Sequence, residues 1–158
     1  ELLHVSRLHG GNDFLVEEYL PGTEITVGLI GNGEDLKVLG AMEILPKIKS
    51  EFFIYSLDVK RNYKTRVDYN VPPKVPRKVM DELFESAIKA FKALGCRDFA
   101  RIDFRLNAND KPVFMEVNPL PGLNPVTSDL GLIAKGMNWT YEKLILAIFD
   151  AARKRHNI

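Results

Sequence analysis

Gly95-Cys96-Arg97-Asp98-Phe99-Ala100-Arg101-Ile102-Asp103-Phe104-Arg105-Leu106 and Pro112-Val113-Phe114-Met115-Glu116-Val117-Asn118 are the two runs from which the architecture of this 158-residue chain is read. Between them lies Asn107-Ala108-Asn109-Asp110, a cluster of turn formers, so the segment predicts a β-hairpin with arms at 99–106 and 112–118. Alternate residues of a strand share a face, which puts Arg101, Asp103 and Arg105 on one side and Ala100, Ile102, Phe104 and Leu106 on the other. The second set is core. In the returning arm Phe114, Glu116 and Asn118 share one face, and Val113, Met115 and Val117 the other. With 108–111 as the loop and Asn107 paired with Pro112, Asp103 falls opposite Glu116 and Arg101 opposite Asn118. Two carboxylates directly across a ladder weaken a sheet by a few tenths to about 1 kcal/mol unless a cation lies between them. Mg²⁺ would reverse that sign, because it takes hard oxygens and leaves room for phosphate, and two carboxylates with an amide oxygen suit it. Arg101 beside them offers planar donors to a phosphate or acyl-phosphate oxygen. The competing reading is a solvated hairpin face whose Arg and Asp make surface pairs.

Working outward, 14–20 and 24–30 read as short strands around Pro21-Gly22, and 37–45 extends the sheet. Residues 46–76 lose all period, which is long for a loop inside a compact domain and points to a mobile binding loop with one short strand. Pro76 opens a helix through Leu94, carried by Val79, Leu83, Ala87, Ala90 and Leu94 and stopped by Gly95. An apolar stretch at 130–133 predicts a short helix. Thr140 caps a last one over 141–153, with Leu144, Ala147, Ile148 and Ala151 as its stripe. The expected fold class is α+β, a largely antiparallel sheet with flanking helices.

The chemistry outside the hairpin is less specific. Val16-Glu17-Glu18-Tyr19-Leu20-Pro21-Gly22-Thr23-Glu24 can offer a carboxylate to an adenine amine (Glu17), a backbone N–H to a ring nitrogen (Leu20) and a carboxylate to a ribose diol (Glu24). A charged, solvated strand edge has the same composition. The loop carries Tyr55, Asp58, Lys60, Arg61, Tyr63, Lys64 and Arg66. Nucleic-acid binding is disfavoured, since 22 Lys and Arg balance 21 acidic residues and no stacking sheet accompanies the basic run. A composition 46% hydrophobic and 27% charged suits one globular core. The single cysteine, Cys96, forms no internal disulfide and fits a reducing, cytoplasmic setting. With no long apolar stretch, no membrane partner is expected. The start Glu1-Leu2-Leu3-His4 resembles neither a signal peptide nor an initiator sequence, so the N-terminus reads as cut.

The two hairpin arms, continued by Pro119-Leu120-Pro121-Gly122, resemble the metal-binding hairpin of ATP-grasp carboxylate–amine ligases, most nearly the D-alanine–D-alanine ligases. The resemblance implies an ATP-grasp C-terminal subdomain and an ATP-dependent ligase that joins a carboxylate to an amine through an acyl phosphate. It implies that Asp103, Glu116 and Asn118 ligate two Mg²⁺ ions, with Mn²⁺ an alternative, and that Arg101 stabilises the acyl phosphate and tetrahedral intermediate. It further implies Glu17 and Leu20 at adenine, Glu24 at ribose, and Lys60 at the ATP phosphates under a closing loop. Where these relatives hold a substrate carboxylate, this chain reads Gly122-Leu123-Asn124-Pro125-Val126-Thr127-Ser128-Asp129, leaving Gly122, Thr127 and Ser128 as substrate-side candidates and D-alanine open to question. Another ATP-grasp reaction on a different acid, and a non-catalytic nucleotide-binding module, remain alternatives. Residues 1–158 are expected to be one C-terminal domain of a longer chain, lacking the N-terminal substrate domain and inactive by itself. The partners expected are a small amino acid or related carboxylate and an amine, with a homodimer possible.

Overall fold

The computed structural model describes residues 16–48 and 50–158. Five antiparallel strands form one sheet: β1 (Glu24–Ile30), β2 (Lys37–Pro46), β3 (Val67–Asn70), β4 (Phe99–Leu106) and β5 (Pro112–Asn118), in the order β3-β2-β1-β4-β5. Two short helices, α1 (Leu57–Arg61) and α2 (Tyr63–Arg66), lie in the segment anticipated as a loop, ahead of β3, which is its one short strand. Ser56 starts α1 by accepting from the Val59 N–H through its side chain, local capping that hydrophobic period does not reveal. No helix among the described residues is long and apolar enough to cross a membrane.

Each face of the sheet is covered differently. Helix α3 (Arg77–Ala93) lays Val79, Leu83, Ala87 and Phe91 on Ile25, Val27, Ile102 and Phe104. Its stripe therefore runs through Phe91; Leu94, expected in it, is the C-cap residue and 54% exposed. On the other face α4 (Asp129–Gly136) and α5 (Tyr141–His156) pack Leu130, Ile133, Ala134 and Leu144 on Leu39 and Met42. Gly28 and Gly40 are cross-strand partners beneath α4, and a Cβ at Gly28 would stand 2.7 Å from Leu130 Cδ2. The missing side chains let the helix sit directly on the backbone.

Two expectations need correction. Phe14 and Leu15 lie outside the described residues, and 16–20 forms no strand; that segment is tied to the sheet by the Gly22 N–H to the Leu106 carbonyl (3.0 Å) and by Arg105. In the hairpin, Arg101↔Asn118, Ile102↔Val117 and Asp103↔Glu116 pair as expected, but Phe104 pairs with Phe114 and Leu106 with Pro112. Met115 is the extra residue of a β-bulge. Phe114 is thereby turned to the side of Phe104, which it meets edge to face at 6.2 Å, and no longer shares a face with Glu116.

Candidate active site

The uncovered end of the α4 face is a grid set by strand register. One rung reads Gly40, Gly28, Arg101, Asn118; the next Met42, Thr26, Asp103, Glu116; the third Ile44, Glu24, Arg105, Val113. Period-two alternation thus brings Glu24, Asp103, Glu116, Asn118 and Arg101 to one surface from three strands.

Asp103 is 7% exposed and fully engaged. Thr26 Oγ1 donates to its Oδ1 at 2.5 Å, and Arg101 grips it with Nε (3.0 Å, Oδ1) and Nη2 (2.8 Å, Oδ2). The same guanidinium donates from Nη1 to Asp129 Oδ2 at 2.5 Å and lies 3.6 Å from Glu116 Oε1. Burial works to lower the Arg101 pKa, but Asp103, Asp129 and Glu116 raise it on balance. Burial also pushes the Asp129 carboxyl up, with Arg101 opposing. Asn118 Oδ1 accepts from the Leu120 N–H at 3.3 Å.

Glu24 sits among like charges. Burial, then Asp103, push its carboxyl up to about 7, against the pull of Arg105, whose Nη1 is 3.6 Å away. Arg105, itself 6% exposed, donates from Nε to the Leu20 carbonyl (2.6 Å) and from Nη2 to the Phe53 carbonyl (2.5 Å) and the Tyr19 hydroxyl (3.1 Å). Segments 19–20 and 53, which lack a ladder of their own, are both held by this one side chain, beside the Gly22 N–H bond to Leu106. Glu17 lies exposed beyond them.

A cleft of about 400 Å³ opens beside Arg101, lined by Lys60, Tyr55, Tyr63, Tyr69, Gly122 and Asp129 with the turn at 124–128. Lys60 Nζ stands 5.0 Å from the centre of the Tyr55 ring, and the Tyr55 and Tyr69 hydroxyls share a 2.7 Å hydrogen bond. Burial raises both phenols, so they stay protonated. Thr127 is exposed, whereas Ser128 uses its hydroxyl as the N-cap of α4, accepting from the Gly131 N–H at 3.1 Å.

Among the described residues no three His, Cys, Asp or Glu side chains converge as an ion cage. The arrangement is two opposed carboxylates and an amide, a hard-oxygen donor set whose chemistry fits Mg²⁺, with Arg101 engaging Asp103. Reading residues in sequence missed Thr26 and Asp129. Thr26 was recoverable, since alternation in 24–30 puts it on the face of Glu24; Asp129 was not, because the helix was expected to begin after it.

The model of the family described as D-ala D-ala ligase C-terminus matches residues 6–150. A D-alanine–D-alanine ligase of Halalkalibacterium halodurans is 34% identical over 143 residues, covering 89% of this chain and 45% of that protein. One of Desulforudis audaxviator is 35% identical over 124 residues, 75% of this chain and 37% of that protein. This chain therefore spans less than half the length of these curated relatives. Among solved structures, D-alanine–D-alanine ligase of Bacillus anthracis complexed with ATP superposes with TM-score 0.74 at 24% identity, over 99% of this chain and 49% of that one. The match spans nearly the whole sequence and the sheet agrees with it: this chain belongs to the D-ala D-ala ligase C-terminal family and has the ATP-grasp fold of that domain.

Proposed function

We propose that the full-length protein is an ATP-dependent ligase that phosphorylates a carboxylate and joins it to an amine, and that these residues form its Mg-ATP half-site. The observation that carries the reading is the register setting Asp103 against Glu116, with Arg101 on the next rung and Asn118 across from it. Opposed carboxylates are unfavourable in a sheet without a cation, and the Arg101 guanidinium lies against both of them.

Asp103, Glu116 and Asn118 would hold Mg²⁺, two ions in the full site, with Mn²⁺ able to substitute. Bound there, the metal would supply charge neutralisation for phosphate oxygens. Thr26 fixes the Asp103 carboxylate through its hydroxyl. Glu17 accepts from the adenine amine, the Leu20 N–H donates to a ring nitrogen, and Glu24 accepts from the ribose hydroxyls. Lys60 turns from Tyr55 toward the phosphates. Arg101, released from Asp103 but kept by Asp129, aims its fork at the transferring phosphoryl group and then at the tetrahedral oxyanion, where donors lower the barrier most. The segment fastened by Arg105 covers the nucleotide edge and keeps water from the acyl phosphate. No covalent enzyme intermediate is needed. Gly122 and Thr127 border the substrate side.

The test is phosphate release by the full-length protein with ATP and Mg²⁺ across a panel of small carboxylic and amino acids. Release that depends on both acid and metal is expected; nucleotide binding without any such release would instead favour a non-catalytic module.

A further inference from the structure

Arg105 sits where two segments of the chain meet at the nucleotide edge. Its Nε donates to the Leu20 carbonyl (2.6 Å), in the stretch read as the adenine edge, and its Nη2 donates to the Phe53 carbonyl (2.5 Å), in the stretch that leads to Lys60. Tyr19 closes the junction. Its hydroxyl accepts from Arg105 Nη2 (3.1 Å) and from the Phe53 N–H (3.0 Å), while its ring lies 5.0 Å from the guanidinium and meets Phe52 edge to face at 5.2 Å. Arg105 is 6% exposed, so these bonds form away from competing water, where charge-assisted hydrogen bonds are strongest.

On the loop side, the junction fixes the start of α1. Only Ile54 and Tyr55 separate Phe53 from Ser56, which caps that helix, and the Ser56 N–H donates back to the Ile54 carbonyl at 2.8 Å. Lys60 is one turn further on, its N–H on the Ser56 carbonyl at 2.9 Å. That run rises only about 6 Å, so the place where Phe53 is held governs where Lys60 can reach. Tyr55, bonded to Tyr69 of β3, gives the same arm a second anchor.

Resting on the Mg-ATP half-site proposed above, we propose that Arg105 is a positioning residue that makes base reading and phosphate binding one event. It holds the Leu20 backbone for the adenine and, through Phe53, holds Lys60 for the phosphates. Arg105 acts through these two segments, and its loss should therefore be felt at phosphates as well as at the base.

The experiment measures equilibrium binding of ATP and of adenosine, each with Mg²⁺, to the full-length protein and to Arg105→Met, Tyr19→Phe, Lys60→Ala and the pairing of each of the first two with Lys60→Ala. Urea unfolding checks that every variant is folded. Arg105→Met should weaken adenosine several-fold and ATP by at least about tenfold, the scale of a lost hydrogen bond to a charged group. Tyr19→Phe, which changes no charge, should give a smaller loss of the same pattern. On the Lys60→Ala background the ATP loss should shrink to that seen with adenosine, the non-additivity that a path through Lys60 requires. An adenosine affinity that Arg105→Met leaves unchanged overturns the inference, as does an ATP loss no larger than the adenosine loss. An excess loss on ATP that persists in full without Lys60 also overturns it, since Arg105 then acts as a distant charge. If Arg105→Met does not fold, Tyr19→Phe and its pairing decide by the same criteria. Absence of Mg-ATP binding by the unaltered protein overturns the half-site reading itself, and the inference falls with it.

Discussion

Glu24→Gln should abolish a pH dependence of stability that the folded sheet imposes on this carboxyl. The Glu24 side chain is 18% exposed, has Asp103 on the next rung of the same face, and has as its nearest cation an arginine committed to Leu20, Phe53 and Tyr19. Its carboxyl is raised from the ordinary 4.5 to about 7. The folded state thus binds the proton more tightly than the unfolded chain. The contribution of the protonated group is fully present below the unfolded value and is lost as pH rises through the folded one. At about 1.4 kcal/mol per tenfold, the gap between 4.5 and about 7 amounts to roughly 3 kcal/mol. Glutamine keeps the neutral form at every pH. Urea unfolding without nucleotide or metal, run from about pH 5 to about pH 8, should show Glu24→Gln gaining on the unaltered protein by up to roughly 3 kcal/mol. Parallel stability curves across that range would refute the argument that burial and Asp103 hold the proton on Glu24.

Arg101→Ala in the full-length protein should lower turnover on the order of hundreds-fold, about 3 to 4 kcal/mol, while nucleotide affinity changes several-fold at most. Steady-state kinetics beside equilibrium nucleotide binding separate the two, and near-normal turnover would reduce Arg101 to a structural ion pair; Arg101→Lys should recover little, lacking the planar fork. Gly28→Ala should lower stability by about 1 to 3 kcal/mol, because the new methyl meets Leu130 at 2.7 Å in a packed interface. An unchanged urea midpoint would show that α4 shifts freely on the sheet.

The elements with strong period were legible from sequence. The register counted from Asn107 opposite Pro112 placed Asp103 opposite Glu116 correctly because the observed start, Leu106 opposite Pro112, is offset by the extra residue Met115 at the bulge. Beyond it the same logic put Phe114 on the wrong face: a bulge arises from how two strands twist together, which neither strand's pattern encodes. The helices within 57–66 were hidden because their capping is local and their faces are not amphipathic. Residues 14–20 read as a strand, yet within the described part the Leu20 carbonyl and the Tyr19 hydroxyl are met by the Arg105 side chain and not by a ladder, a tertiary contact some 85 residues distant. Asp129 joins the site only because two opposed glycines let α4 come close, and closeness of packing leaves no local trace.

Met115 separates the hairpin into two lengths of ladder that keep independent registers. The rungs holding Asp103 and Glu116 lie on one side of it and those of Phe104, Arg105 and Leu106 on the turn side, and β4 stays paired to β1 through Arg105 whatever the turn at 107–111 does. A bulge pins pairing where it sits, so a residue gained or lost at the tip is absorbed before it reaches the carboxylates. The hairpin end is therefore a permissive splice point: genetic drift can lengthen it, and a designer can graft a peptide or a spectroscopic probe there, without rotating either acid off its face.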